Sequence, residues 1–121
     1  MPRFRYVPKI LSRASSVPFA NAEEAWFWFV RCHRVRREGA RLSGGPVDTV
    51  RPCDPDDIYR AVRHLARTGR IGQGHLRVLA HFGLRETPPD ARSPEEIQAA
   101  RLWTESLDRL TTVLRGKAIV S

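Results

Sequence analysis

Along most of the chain after residue 20, apolar residues recur at intervals of three or four positions. The first of these segments contains the WFWF block of residues 26–29. This spacing is typical of an amphipathic α-helix, which buries one stripe and exposes the remainder. No stretch alternates between apolar and polar residues clearly enough to indicate a strand. The pattern therefore predicts an all-α fold.

Start and stop residues divide residues 21–121 into four predicted helices. Polar caps followed by acidic residues mark three starts, at Asn21, Asp54 and the Ser93–Glu96 capping box. A glycine marks the end of each segment, and Gly69 is the predicted left-handed stop. The predicted helices run from Asn21 to about Glu38, from Asp54 to Gly69, from near Gln73 to Phe82, and from Ser93 to about Arg115. The corresponding stops are Gly39, Gly69, Gly83 and Gly116.

The first 20 residues have a different composition. They contain no acidic residue, and their basic residues are Arg3, Arg5, Lys9 and Arg13. Three prolines in this stretch exclude a continuous helix, because proline breaks a helix interior. We expect an extended basic arm over residues 1–20, followed by a single helical domain over residues 21–121.

Helix one carries four consecutive aromatic residues. At about 100° per residue, Trp26, Trp28 and Phe29 fall on a wide apolar arc and are predicted to lie in the core. Phe27 falls on the opposite side, near Arg31 and Arg34. The favoured interpretation is that the N-terminal arm covers Phe27. The alternative is that an exposed Phe27 binds a partner together with these two arginines.

Helices two and three have the arrangement of a known motif. Ile58, Ala61, Val62 and Leu65 form an apolar face on helix two, and Leu76, Leu79 and Ala80 form one on helix three. A tight, glycine-containing turn joins the two helices. Residues 54–83 therefore resemble the helix-turn-helix, in which the second helix enters the major groove of DNA.

The polar faces of this helix pair supply the candidate DNA contacts. Gln can pair with adenine and Arg with guanine, and a glycine permits close approach to the backbone. The predicted base-reading residues of helix three are Gln73, Gly74, Arg77 and His81. The predicted phosphate contacts are Arg60, Arg63 and Arg67 on helix two and Arg70 in the turn.

Helix four has an apolar repeat of alternating three- and four-residue steps. Its members are Ala100, Trp103, Leu107, Leu110 and Leu114. Such a short repeat favours packing onto helix one, while a homodimer formed through helix four remains the alternative. We also expect the apolar tail after Gly116 to fold back onto the bundle.

The net charge of +8 and the pI of about 10.9 are compatible with a nucleic-acid partner. All but two of the 21 basic residues are arginine, alongside many alanines, prolines and glycines. A genome rich in GC codons also produces this composition. Charge alone therefore leaves both explanations open.

Several functional classes lack support in the sequence. Cys32 and Cys53 form no CxxC pair, the four histidines lack zinc-ligand spacing, and no glycine-rich loop follows a strand. The paired acidic residues are explained by helix starts. We therefore expect no metal, no cofactor and no enzymatic activity. Because neither a signal-peptide pattern nor a long apolar run occurs, we expect a cytoplasmic protein without a membrane association.

These observations together favour one function. They predict a DNA-binding protein of the helix-turn-helix type, a small transcriptional regulator of a bacterium or its phage. The alternative is an adaptor or accessory subunit that binds an acidic protein partner through Phe27, Arg31 and Arg34.

Overall fold

The computed structural model of the chain describes residues 16–38 and 50–121. In this part of the chain α1 spans Ala22–Arg37, α2 spans Pro55–Arg67, α3 spans Gln73–Leu84 and α4 spans Ile97–Gly116. The predicted all-α fold is confirmed, since these residues form helices and only one isolated β-bridge, between Phe19 and Val120. Residues 1–15 of the predicted arm and the predicted stop at Gly39 lie outside the described residues.

The first two helices begin at the predicted caps. The Asn21 side chain accepts a hydrogen bond from the Glu24 N–H at 2.8 Å. The Asp57 carboxylate of α2 accepts one from the Asp54 N–H at 2.9 Å, with Pro55 at the first helical position. Because these bonds join residues three positions apart, the local sequence is sufficient to specify them.

The predicted start of helix four is wrong. The Glu96 carboxylate accepts a hydrogen bond from the Asp90 N–H at 2.7 Å, and the Ser93 hydroxyl donates to the Glu95 carboxylate at 2.9 Å. The capping box expected between Ser93 and Glu96 is therefore replaced by bonds that fold the preceding loop. The helix itself begins at Ile97.

Glycine takes the left-handed conformation at only one of the three described stops. Gly69 adopts it with φ +76°, as predicted. Helices α3 and α4 end at Leu84 and Gly116, within two residues of the predicted ends at Phe82 and about Arg115. Gly83 and Gly116 are themselves helical, and the left-handed residues that follow are Glu86, with φ 55°, and Ala118, with φ 63°.

The core is built from all four helices. Its largest fully buried side chains include Phe19, Ile58, Leu65, Leu79, Leu110 and Leu114. Helix α4 packs against α1, α2 and α3, and α1 also packs against α2 and α3. Contact between α2 and α3 is less extensive than between any other two of these helices. The two helices are therefore held mainly through α1 and α4, and the helix-turn-helix arrangement stays a prediction.

Helix α4 directs its apolar repeat toward the domain's own core. Trp103, Leu110 and Leu114 are buried, and Leu107 is half-buried against the core. This burial agrees with the predicted packing of helix four within the domain. The alternative, a homodimer formed through helix four, stays a prediction. Neither α4 nor any other described helix is long and apolar enough to cross a membrane.

The aromatic block of α1 is used mainly within the domain. Trp26 is buried, and the Trp28 ring lies 5.1 Å from that of Phe19. Phe27 is half-buried, with its ring centroid 5.6 Å from that of Trp103 in α4. The predicted cover for Phe27 was the N-terminal arm. The observed ring contact is with α4, whose position relative to α1 a helical wheel cannot reveal.

The C-terminal tail packs onto the bundle, as expected. Ile119 and Val120 are buried. The Phe19 N–H donates to the Ile119 carbonyl at 2.9 Å, and the Ser121 N–H donates to the Phe19 carbonyl at 3.0 Å. The tail and the segment before α1 therefore hold each other in place.

Candidate nucleic-acid interface

Helix α2 has one buried face and one broad polar face. The predicted apolar residues Ile58, Ala61, Val62 and Leu65 are all buried. The exposed residues of the other face include Tyr59, Arg60, Arg63, His64 and Arg67. The three arginines predicted to contact phosphates are therefore accessible to a partner.

The turn between α2 and α3 is held by one buried side chain and by two main-chain hydrogen bonds. Ile71 is buried, and its N–H donates to the Leu65 carbonyl at 3.3 Å. The Arg70 N–H donates to the same carbonyl at 2.9 Å, while its side chain is exposed. The positive φ of Gly69 permits this tight reversal. Arg70 is thereby placed at the surface between the two helices.

Helix α3 exposes three of its four predicted base-reading residues. Gln73, Arg77 and His81 are exposed, whereas Leu79 and Phe82 are buried. Four-residue steps separate the three exposed residues, so they share one side of the helix. Their polar groups can therefore reach a partner that approaches from that side.

Two residues of α3 differ from their predicted positions. Gly74 is half-buried and faces α4, because a Cβ built on it would lie 3.6 Å from Cδ1 of Leu102. Gly74 is therefore less exposed than the sequence predicted. Ala80, predicted in the core, is exposed, and Leu84 is 58% exposed. The outward side of α3 is thus more apolar than the sequence indicated.

We use the name α2–α3 surface for nine exposed residues of α2, the turn and α3. They are Tyr59, Arg60, Arg63, Arg67, Arg70, Gln73, Arg77, Ala80 and His81.

Most arginines of the α2–α3 surface have no acidic partner. Arg60 forms an ion pair with Asp57 at 2.9 Å. Within the part of the chain that the structure describes, the other four form no ion pair. They are Arg63, Arg67, Arg70 and Arg77. Elsewhere in the described part of the chain, Arg34 and Arg51 pair with Glu86 and Glu24, respectively, while Arg37 and Arg85 form no ion pair. The four exposed arginines of α2, the turn and α3 therefore carry positive charge that no acidic side chain of the described residues neutralises.

The predicted partner-binding residues of α1 contact other parts of the domain. The Arg34 guanidinium donates to the Leu84 carbonyl at 2.7 Å and to the Glu86 carboxylate at 3.2 Å. Arg31 lies 4.0 Å from the Glu86 carboxylate. Phe27 packs on Trp103, as described above. These three side chains therefore stabilise the domain, with the two arginines holding the C-terminal end of α3.

His75 joins the first turn of α3 to α4. Its Nδ1 accepts a hydrogen bond from the Gly72 N–H at 3.0 Å, and its Nε2 lies 2.9 Å from Oε1 of Glu105. The hydrogen bond from His75 lowers the pKa of the Glu105 carboxyl. The sequence did not indicate this pair, because the two residues are thirty positions apart.

Tyr59 is an exposed aromatic residue to which sequence reasoning assigned no role. Its side chain is 47% exposed, its ring centroid is 6.1 Å from that of Phe29, and the Arg63 guanidinium carbon lies 5.8 Å from its ring centre. A tyrosine hydroxyl can donate a hydrogen bond to a phosphate oxygen. In the sequence, the position of Tyr59 between basic residues on the polar face of α2 is the feature that indicates such a role.

Neither cysteine is activated for chemistry. Burial, together with the negative charges of Asp57 and Asp54, raises the pKa of the Cys53 thiol to about 11. Burial is also the main cause that raises the pKa of Cys32. Among the described residues there is no group of three or more His, Cys, Asp or Glu side chains that could bind a metal ion.

Alkylation should detect this protection of Cys53. At pH 8 we expect iodoacetamide to modify Cys53 at least about tenfold more slowly in the folded protein than in urea, because only about one thiol in a thousand is ionised. Mass spectrometry of the Cys53 peptide gives both rates. Equal rates in the two states would contradict the raised pKa.

Known proteins provide no relative from which the role of this surface could be transferred. Comparisons with models of protein families, with curated proteins and with solved structures each gave no match. The geometry and charge of the α2–α3 surface therefore provide the basis for inferring its function.

Proposed function

We propose that this chain binds double-stranded DNA through the α2–α3 surface and acts as a small cytoplasmic transcriptional regulator of a bacterium or its phage. The observation that carries the proposal is the set of exposed arginines without an acidic partner, Arg63, Arg67, Arg70 and Arg77. They lie on two consecutive helices and the turn between them. The regular phosphates of a duplex could neutralise several such charges at once, with release of counterions.

The two helices would have different roles in this complex. Arg63 and Arg67 on α2, with Arg70 in the turn, would contact phosphates and fix the position of the protein on the duplex. Gln73 and Arg77 on α3 would contact base edges, because glutamine can pair with adenine and arginine with guanine. The exposed methyl group of Ala80 would add an apolar contact of the kind that thymine accepts.

The alternative function is that of an adaptor for an acidic protein partner. Its predicted contacts, Phe27, Arg31 and Arg34, make internal contacts with Trp103 and with the residues at the end of α3. Binding a partner through Phe27 and Arg34 would compete with these contacts, whereas Arg63, Arg67, Arg70 and Arg77 form no ion pair in the described part of the chain. This difference favours the DNA-binding function over an adaptor function that uses the α1 residues.

Salt-dependent binding to a duplex tests the proposal. We expect fluorescence anisotropy with a labelled duplex of mixed sequence to give a slope of log K against log salt of about −2.7, because three arginines contact phosphates. The affinity would then fall roughly fortyfold between 50 and 200 mM NaCl.

Poly-glutamate of matched total charge serves as the control in this experiment. It offers carboxylates without the phosphate spacing or base edges of a duplex. Binding to the duplex that exceeds binding to poly-glutamate supports the proposal. Absence of duplex binding at 50 mM NaCl would refute it, and equal affinity for poly-glutamate would favour the adaptor function.

A further inference from the structure

The imidazole of His75 has a hydrogen-bonding partner at each ring nitrogen. The Gly72 N–H lies 3.0 Å from Nδ1, and Oε1 of Glu105 lies 2.9 Å from Nε2. The side chain is only 18% exposed. A half-buried ring that is bonded on both sides has little freedom to rotate, so its orientation is determined by these two partners.

These partners determine which nitrogen carries the proton. A backbone N–H can only donate, so Nδ1 must be unprotonated in order to accept the bond from Gly72. The proton of the neutral ring is then on Nε2, where it is donated to the Glu105 carboxylate. Neutral His75 with its proton on Nε2 is therefore the form that satisfies both bonds.

The bond at Nδ1 closes the turn that carries Gln73. It joins residue 72 to residue 75, in the same relation as the bond from the Asp54 N–H to the Asp57 carboxylate at the start of α2. A side chain at the third helical position thus closes the first turn of each helix. In α3 this side chain also reaches α4, through Glu105.

We propose that His75 is the positioning residue of the DNA-reading helix, because its neutral imidazole ties the first turn of α3 to Glu105 of α4. The part of this inference that concerns DNA rests on the proposed function. The tie itself does not, because it is a property of the free protein. Its consequence is that Gln73 is presented from a turn of fixed geometry, one turn before Arg77.

The charged groups near this pair leave the Glu105 carboxylate available to His75. Arg101 and Arg109 lie near Glu105. Arg109 donates to the Glu105 main-chain carbonyl at 3.0 Å rather than to the carboxylate. A side chain at position 75 that only donates would therefore keep the pair with Glu105 and lose the bond to the Gly72 N–H.

The tautomer can be measured in the free protein. Long-range proton–nitrogen correlation spectra at pH 7.5 should show His75 with the proton on Nε2 and an unprotonated Nδ1. The protection of the Gly72 amide against hydrogen exchange should fall about fivefold when the acceptor at position 75 is removed. A proton on Nδ1 at pH 7.5, or unchanged protection in the variant without an acceptor, would overturn the proposed tie.

Two substitutions separate the two bonds of His75. His75→Asn retains an acceptor near the Nδ1 position, as Asp57 does in α2. His75→Lys can still pair with Glu105 but offers no acceptor to the Gly72 N–H, because an ammonium group only donates. The asparagine variant should therefore keep the Gly72 amide protected, and the lysine variant should lose this protection.

Sequence discrimination gives the functional readout. The probes are a duplex selected from a random-sequence pool by the wild-type protein and a scrambled duplex of the same composition. We expect the preference for the selected duplex to fall about threefold to tenfold in both His75 variants relative to the wild type, because each variant keeps only one of the two bonds that form the tie.

The outcomes distinguish this inference from the proposed function. If the protein fails to bind any duplex, the proposed function fails, while the tautomer and the Gly72 protection still decide whether the tie exists. If the duplexes bind but both His75 variants retain the wild-type preference, the positioning role of His75 is refuted.

Discussion

Replacing Gly83 by alanine is expected to destabilise the domain by about 1 to 3 kcal/mol, although alanine is the better helix former by about 1 kcal/mol. A Cβ built on Gly83 would lie 2.7 Å from Nε1 of Trp26 and 3.1 Å from Cγ2 of Val30. The indole of Trp26 is buried and donates to the Leu79 carbonyl at 3.0 Å. To admit the new methyl group, the indole must move and weaken this bond, or α3 must move away from α1.

Gly74→Ala is a matched control in the same helix. Its Cβ would meet Cδ1 of Leu102 at 3.6 Å, an ordinary van der Waals distance. We expect this variant to be unchanged or more stable by up to about 1 kcal/mol, because alanine restricts the unfolded chain more than glycine does. Urea unfolding followed by far-UV circular dichroism gives both free energies. Equal changes in the two variants would show that the contact between Gly83 and Trp26 does not limit packing.

Replacing both Arg63 and Arg67 by alanine should weaken binding to every duplex by roughly tenfold to a hundredfold. Both side chains are exposed on α2 and form no ion pair within the described part of the chain. Their loss should therefore change affinity without a comparable change in stability. Because phosphate contacts do not depend on base sequence, selected and scrambled duplexes should lose affinity by a similar factor.

Arg37→Ala combined with Arg92→Ala removes the same formal charge from outside α2 and α3. Both residues are exposed, one at the end of α1 and the other in the loop before α4. We expect this control variant to lose less than about threefold in affinity, since only long-range attraction is reduced. A loss equal to that of the α2 variant would mean that net charge, rather than the α2–α3 surface, determines binding.

The helix starts that could be predicted from sequence depend on local bonds. Asn21 and Asp54 each cap a helix through bonds to residues three positions away. The helix ends required tertiary information. Gly83 is helical and lies against Trp26 of α1, and the left-handed conformation falls on Glu86, whose carboxylate is bound by Arg34. A rule that considers only glycine and its neighbours in sequence includes neither of these tertiary contacts.

The candidate interface was only partly predictable for a similar reason. The helical periodicity correctly predicted that Gln73, Arg77 and His81 are exposed, because these residues are polar and share one side of a helix. Gly74 and Ala80 were misplaced, since helical periodicity does not reveal where α1 and α4 pack against α3. The spacing of residues along the chain did not predict bonds between distant segments, such as the bond between His75 and Glu105.

The central claim is that arginines of the α2–α3 surface neutralise DNA phosphates. The most direct test is the salt dependence of duplex affinity, measured on the same duplex for the wild type and for the Arg63→Ala, Arg67→Ala double variant. We expect the slope of log K against log salt to change from about −2.7 to about −0.9, because two of three phosphate contacts are lost. An identical slope for both proteins would contradict the claim, since α2 would then make no contact with phosphate.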